Sequence, residues 1–166
     1  MNGKVSIYLA SPLGFSEAGR HFYTRVFIPH VQGLGFEAVD PWSLADLGKL
    51  QAIERMPYGP ERRDAWRALN PEIGETNRAA IAAARGVIAV LDGVDVDSGT
   101  AAEIGYAFGM GKLIVGYRGD FRLSADNEGS TVNLQVEYFI RKSGGSIVTR
   151  LEDLAQALTP LRPRHV

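Results

Sequence analysis

The sequence predicts an α/β fold of the doubly wound kind: a five-stranded parallel sheet with helices on both faces. Three observations carry this expectation. Val5 to Val39 reads as strand, helix, strand, which is a crossover unit. Short apolar runs then keep alternating with segments of helical period to the end of the chain. Two of those runs, Val87 to Leu91 and Leu113 to Tyr117, are continuous rather than alternating, as in strands covered on both faces.

The elements follow in order. Val5 to Ala10 is rich in strand formers and ends at Ser11-Pro12. Ser16 to Gly33 is the first helix, with Phe22, Val26, Ile28 and Val31 near helical spacing, Ser16 as N-cap and Glu17 in the first turn. Gly35 to Val39 is the second strand, closed by Asp40-Pro41-Trp42. Residues 43–69 are the least regular and read as an insertion or lid, with a short helix over Leu44 to Ile53 and a loop over Met56 to Pro60. Asn70-Pro71 restarts a helix, Asn as N-cap and Pro at N1, which runs to about Arg85 and is stopped by Gly86.

Val87 to Leu91 is the third strand and Asp92 to Asp97 a polar loop. Thr100 to Gly111 is a helix whose Ala102, Gly105 and Gly109 share a face, small enough to approach a sheet closely. Leu113 to Tyr117 is the fourth strand. Val132 to Lys142 forms a helix broken by Gly144-Gly145, Ser146 to Val148 a short last strand, and Leu151 to Leu158 a terminal helix before a tail with Pro160, Pro163 and His165. Five strands in this pattern suggest the flavodoxin-like order, in which ligands bind beyond the C-terminal strand ends. That selects the loops after Ala10, Val39, Leu91 and Tyr117.

Composition narrows the function. A chain of 166 residues suits one domain, residues 1–166, with a single core. The formal net charge of -1 gives no basic footprint for nucleic acid, and no run of like charges suggests a membrane surface. Cysteine is absent, which excludes disulfides, thiol catalysis and thiolate metal sites and fits a reducing compartment. Met1 to Lys4 leads straight into the first strand without a leader pattern, so a cytoplasmic protein is expected. His21, His30 and His165 are scattered without ligand spacing, so neither a metal nor an organic cofactor is expected.

The chemistry concentrates in the loop from Leu91 to Glu103, which carries Asp92, Asp95, Asp97 and Glu103 at the mouth of the sheet. Asp97 precedes the helix and Glu103 lies just inside it, placed by this reading in its first turn. Both can face one cleft. Two carboxylates flanking an anomeric carbon are what retaining glycosyl chemistry requires, one to attack and one to protonate the leaving group. A helix N-terminus favours an ionised carboxylate, which suits Glu103 as nucleophile and leaves Asp97 as the proton shuttle. The residues alone also fit a capping box, Thr100-Ala101-Ala102-Glu103, with Glu103 bonded to its own backbone. Asp92 and Asp95 also fit solvated turn acids. The first loop lacks G-x-G-x-x-G, which argues against dinucleotide binding.

Ile7 to Leu13 with Phe15-Ser16-Glu17-Ala18, then Asp97 to Ala107, then Val132-Asn133-Leu134, in this order, resemble the motifs of the nucleoside 2-deoxyribosyltransferases. The resemblance spans residues 5 to about 140. It implies an enzyme of nucleotide salvage that exchanges purine or pyrimidine bases on deoxyribose. Glu103 matches the covalent nucleophile, Asp97 the acid facing the leaving base, and Tyr8 the tyrosine that holds the nucleophile.

Asn77 falls where many members carry an aspartate facing the base. It can hydrogen-bond a base edge but cannot act as an acid. Asn133 matches an asparagine that reaches across a subunit interface to the sugar hydroxyls, implying a homo-oligomer with shared sites. Locally, Asn133 also fits a helix N-cap. Ser98 and Gly99 belong to the catalytic segment and are expected beside the substrate. Phe15 and Trp42 are candidates to stack on the base, and Asp40 either orients the base or closes the turn before Pro41. Members with an aromatic C-terminus have no counterpart in Arg164-His165-Val166. Deoxynucleosides and free bases are the expected small-molecule partners. A monophosphate N-glycosidase of the same superfamily, with Ser16 and Arg20 as phosphate cradle, and a non-catalytic nucleotide-sensing module are the alternatives.

Overall fold

The computed structural model describes residues 4–162. In chain order the elements are β1 (Ser6–Ala10), α1 (Glu17–Phe22), a π-helical turn (Tyr23–Phe27), α2 (Ile28–Gly33), β2 (Glu37–Val39), α3 (Leu47–Glu54), α4 (Pro60–Ala83), β3 (Gly86–Val90), α5 (Ser98–Gly109), β4 (Leu113–Tyr117), α6 (Leu134–Lys142), β5 (Ile147–Val148) and α7 (Leu154–Ala157). All strand pairs are parallel and the sheet order is β2-β1-β3-β4-β5, the flavodoxin-like order expected.

The period of two along each strand divides the core. Ile7, Leu9, Ile88, Val90 and Val115 point to one face, where Phe27, Val31 and Leu154 cover them. Tyr8, Ala10, Val87, Ala89, Leu91 and Ile114 point to the other, beneath Ile104, Ala107, Val136 and Ile140. Each large apolar side chain so buried contributes about 1.5–3 kcal/mol. The chain leaving β1 goes to the first face and the chain leaving neighbouring β3 goes to the second. A crevice opens between them at their C-terminal ends, the switch point of the sheet.

Three expectations are corrected. Asn70 is not an N-cap and Pro71 does not begin a helix: α4 runs unbroken from Pro60 to Ala83 with Pro71 inside. Pro71 cannot donate to the Arg67 carbonyl, an interior cost of about 3 kcal/mol. Packing outweighs it: Leu69 and Ile81 are buried, and Lys49 of α3 reaches Glu72 at 2.5 Å. The helix ends before Gly86, which belongs to β3. A Cβ there would sit 2.6 Å from Leu161 Cδ1. On α5 the buried face is Thr100, Ile104 and Ala107, while Ala102 and Gly109 are exposed and Gly105 turns toward Phe139 of α6.

The first predicted helix is also more than one helix. Ser16 caps it as expected, accepting from Gly19 N at 3.0 Å, but its middle widens into the π-helical turn, where the Ile28 N–H donates to the Tyr23 carbonyl five residues back. Pro29 follows immediately and has no N–H to give. The terminal helix is a 3₁₀ turn at Leu151–Asp153 followed by α7. Pro163, Arg164, His165 and the residues before Lys4 lie outside the described residues.

Candidate active site

The crevice holds a cavity of about 790 Å³. One end of it is set by β1 and α5. The side chain of Tyr8 leaves β1 on the face that α5 covers, and its phenol donates to Glu103 Oε1 at 2.5 Å. Glu103 is therefore not part of a capping box, and it stands in the second turn of α5 rather than the first. The N-cap is Asp97, whose Oδ2 accepts from the Thr100 N–H at 2.9 Å and the Thr100 hydroxyl at 3.3 Å. Asp97 and Glu103 both line the cavity.

Electrostatics follow from this placement. Burial pushes the Glu103 carboxyl above the usual glutamate range. The Tyr8 bond opposes that rise and the charge of Asp97 adds to it. The helix N-terminus expected to favour ionisation is taken by Asp97, and its effect fades within the first turn. Burial, then the bond to Glu103, raises the Tyr8 phenol well beyond its ordinary value, so it stays a neutral donor.

A second tyrosine–carboxylate pair forms the next part of the wall. Tyr23 donates to Asp40 Oδ1 at 3.0 Å, and the same oxygen accepts from Trp42 N at 3.0 Å. Asp40 thus closes the turn before Pro41 and also lines the cavity. Trp42 and Phe15 meet edge to face, centroids 4.7 Å apart, at the rim. Phe15 is 74% exposed, an apolar surface turned outward over the opening. Gly14 makes room for the indole: a Cβ there would lie 2.2 Å from Trp42.

Of the residues singled out in the sequence, Asn77, Gly99, Phe15, Asp40, Trp42, Asp97 and Glu103 line the cavity, and Tyr8 supports it from behind. Ser98 is exposed and off the wall. Asn133 is also off the wall and caps α6, accepting from Gln135 N at 3.0 Å and Val136 N at 3.3 Å. Ser16 is occupied as the cap of α1, while Arg20 and Thr24, one turn apart, reach the cavity.

Sequence reasoning missed Tyr23 and the face of α4. Trp66, Asn70, Ile73 and Asn77 follow helical spacing and all line the cavity. Among the described residues, Asn77 Oδ1 is buried without a hydrogen-bond partner. No group of three or more metal-ligating side chains occurs among the described residues, and no described helix is long and apolar enough to cross a membrane.

Comparison with known proteins decides the family. The sequence profile described as nucleoside 2-deoxyribosyltransferase matches residues 7–135. The chain belongs to the nucleoside 2-deoxyribosyltransferase family. It is thus a member of an enzyme superfamily that acts on small nucleosides and nucleobases. Among curated proteins, no sequence match reaches significance.

Solved structures share the fold. A conserved protein from Enterococcus faecalis V583 is 22% identical with a TM-score of 0.72, covering 96% of this chain and all of that one. A 2-desoxiribosyltransferase from Leishmania mexicana is 21% identical, TM-score 0.62, with 98% and 99% coverage. The CMP N-glycosidase BcmB of Clostridium botulinum is 20% identical, TM-score 0.52, with 95% and 99% coverage.

Proposed function

We propose that this member of the family transfers 2-deoxyribose between nucleobases by a retaining double displacement. One observation supports this reading above the others: Glu103 is withdrawn from any capping bond, held by the Tyr8 phenol and turned into the cavity that Asp97 shares. In the first step the Glu103 carboxylate attacks the anomeric carbon as the bond to the base breaks, and Asp97 delivers a proton to the departing base. In the second, an incoming base gives its proton to Asp97 and displaces Glu103 from the same face, restoring both carboxyl groups. The neighbouring carboxylate stabilises the oxocarbenium-like transition state. Lack of a 2′-hydroxyl makes that cation easier to form, so deoxynucleosides are preferred over ribonucleosides.

Phe15 and Trp42, packed edge to face, offer the aromatic surface on which the base stacks, and Asn77 and Asp40 read its edge. Gly99 lets the substrate approach the start of α5, and Ser98 acts only through the backbone. Asn133 works on a neighbouring subunit's sugar in a homo-oligomer. The reaction needs no cofactor, and the enzyme works in the cytoplasm.

The test mixes a deoxynucleoside with a second free base and follows products by chromatography. Wild type yields the exchanged nucleoside and Glu103→Ala does not. Exchange at the wild-type rate in the variant would refute Glu103 as nucleophile.

One observation favours a second reading, hydrolysis of deoxynucleoside monophosphates. Arg20 lines the cavity and is in no salt bridge among the described residues. A guanidinium so placed suits a 5′-phosphate. Release of free base from a monophosphate, without exchange on the free nucleoside, would establish that reading instead.

A further inference from the structure

Arg118 is a buried cation that the proposed chemistry leaves unused. It is the first residue past β4 and only 1% exposed. Among the described residues no carboxylate forms a salt bridge with it. Its guanidinium donates instead to three backbone carbonyls: Leu91 from Nη1, and Gly93 at 3.3 Å and Arg122 at 2.5 Å from Nη2. Nε is buried without a partner. Burying a guanidinium against neutral acceptors is costly, and an apolar side chain would fill the space at less cost. An explanation must therefore lie in what the three carbonyls belong to.

They belong to the two loops that leave the C-terminal ends of β3 and β4, the first of which leads to Asp97 on the cavity wall. Leu91 and Gly93 open the segment that ends at Asp97, and Arg122 lies in the segment that ends at Asn133. Two further bonds join the same loops: Asp120 N donates to Asp92 Oδ1 at 2.9 Å, and the Ser124 hydroxyl donates to the Val94 carbonyl at 2.6 Å. Gly93 sits at φ +131°, a conformation that L side chains rarely adopt. With these bonds in place, the approach to Asp97 has little freedom left.

We propose that Arg118 is a positioning residue for the acid: by locking the loop that carries Asp97 it fixes the path of the proton to the leaving base. This rests on the deoxyribosyl-transfer reading. Positioning of a proton donor within a few tenths of an ångström governs its efficiency, and such catalysis is worth roughly 10²–10⁴-fold.

The experiment compares two donors with the full-length protein. One is an ordinary deoxynucleoside, whose base needs a proton to leave. The other is already quaternised, N7-methyl-deoxyguanosine or a pyridinium deoxyriboside, whose base departs neutral without one. Asp97→Asn serves as reference. Arg118→Met is expected to lower kcat on the ordinary donor on the order of 10-fold while changing the quaternised donor far less. Arg118→Lys, which keeps the charge and fewer of the bonds, recovers part of the loss.

Equal losses on both donors, or no loss on either, would overturn the positioning role. Ser124→Ala cuts the same loop–loop tie from an exposed hydroxyl. If Arg118→Met does not fold, this variant carries the same comparison with a smaller selective loss. A wild type inert toward both donors refutes the transfer reading itself, and the positioning role with it; wild-type turnover followed by equal losses refutes only the latter.

Discussion

The Tyr8 phenol donates to Glu103 Oε1 across 2.5 Å although 95 positions separate the two residues. This bond lowers the pKa of a carboxyl that burial and Asp97 raise. In the proposed reaction Glu103 attacks as the carboxylate, so activity is expected to rise with pH through the Glu103 titration, with the acid limb of kcat/KM above the ordinary glutamate value. Tyr8→Phe removes the opposing bond. The limb then moves to still higher pH, and the loss of rate is larger at pH 5 than at pH 8. A pH profile with an unmoved limb would contradict this coupling.

Glu103→Gln keeps an acceptor for Tyr8 and removes the titration. A folded-state pKa above the unfolded one means that the native state holds its proton more tightly. The stability so gained is present at low pH and is lost as pH rises through the folded pKa. The variant is therefore expected to melt higher than wild type at pH 7–8, with the difference shrinking toward pH 4. Base exchange falls by about 10³-fold or more. Thermal melts across pH read the first effect and the exchange assay the second.

Pro71→Ala restores a donor to the Arg67 carbonyl at an exposed position of α4. Part of the gain is offset by greater freedom of the unfolded chain. A net stabilisation of about 2 kcal/mol, or roughly 5 °C in Tm, is expected. An unchanged or lower melting temperature would mean that α4 depends on the proline.

Gly14→Ala places a methyl where the Trp42 indole now lies. The indole must swing away, taking the edge-to-face contact with Phe15 with it. KM is expected to rise about 10-fold, the size of one lost aromatic–base contact, with a smaller change in kcat. Tryptophan fluorescence reports the movement directly. An unaltered KM would remove Trp42 from base binding.

The strands were legible because their apolar runs sit on both-face-covered positions, and their order followed from the crossovers. The Asp97–Glu103 pair was legible as two acids at a helix start. Whether Thr100 or Asp97 caps the helix was not, because Thr100-Ala101-Ala102-Glu103 satisfies the capping-box pattern equally well. The choice was made by Asp97 accepting from Thr100 and by Tyr8, far off in sequence, engaging Glu103.

The α4 wall was lost for a different reason. Asn70-Pro71 carries strong local start signals, and packing by Leu69 and Ile81 overrides them. Once the segment is divided there, Trp66 and Asn77 no longer appear on one face. Tyr23 was hidden because a wide turn is not readable from apolar spacing.

That wide turn has a consequence for how the segment tolerates change in length. It holds one residue more than regular α-helical winding would need. Deleting a residue between Tyr23 and Phe27 would let the backbone close into ordinary winding, and Phe27 and Val31 would still seek the sheet. Because the wide turn absorbs its extra residue without advancing the winding, Arg20 would keep its place on the cavity wall and Tyr23 its place beside Asp40. A residue added or removed elsewhere in α1 has no such outlet and would turn everything upstream by about 100° around the axis, carrying Arg20 off the wall.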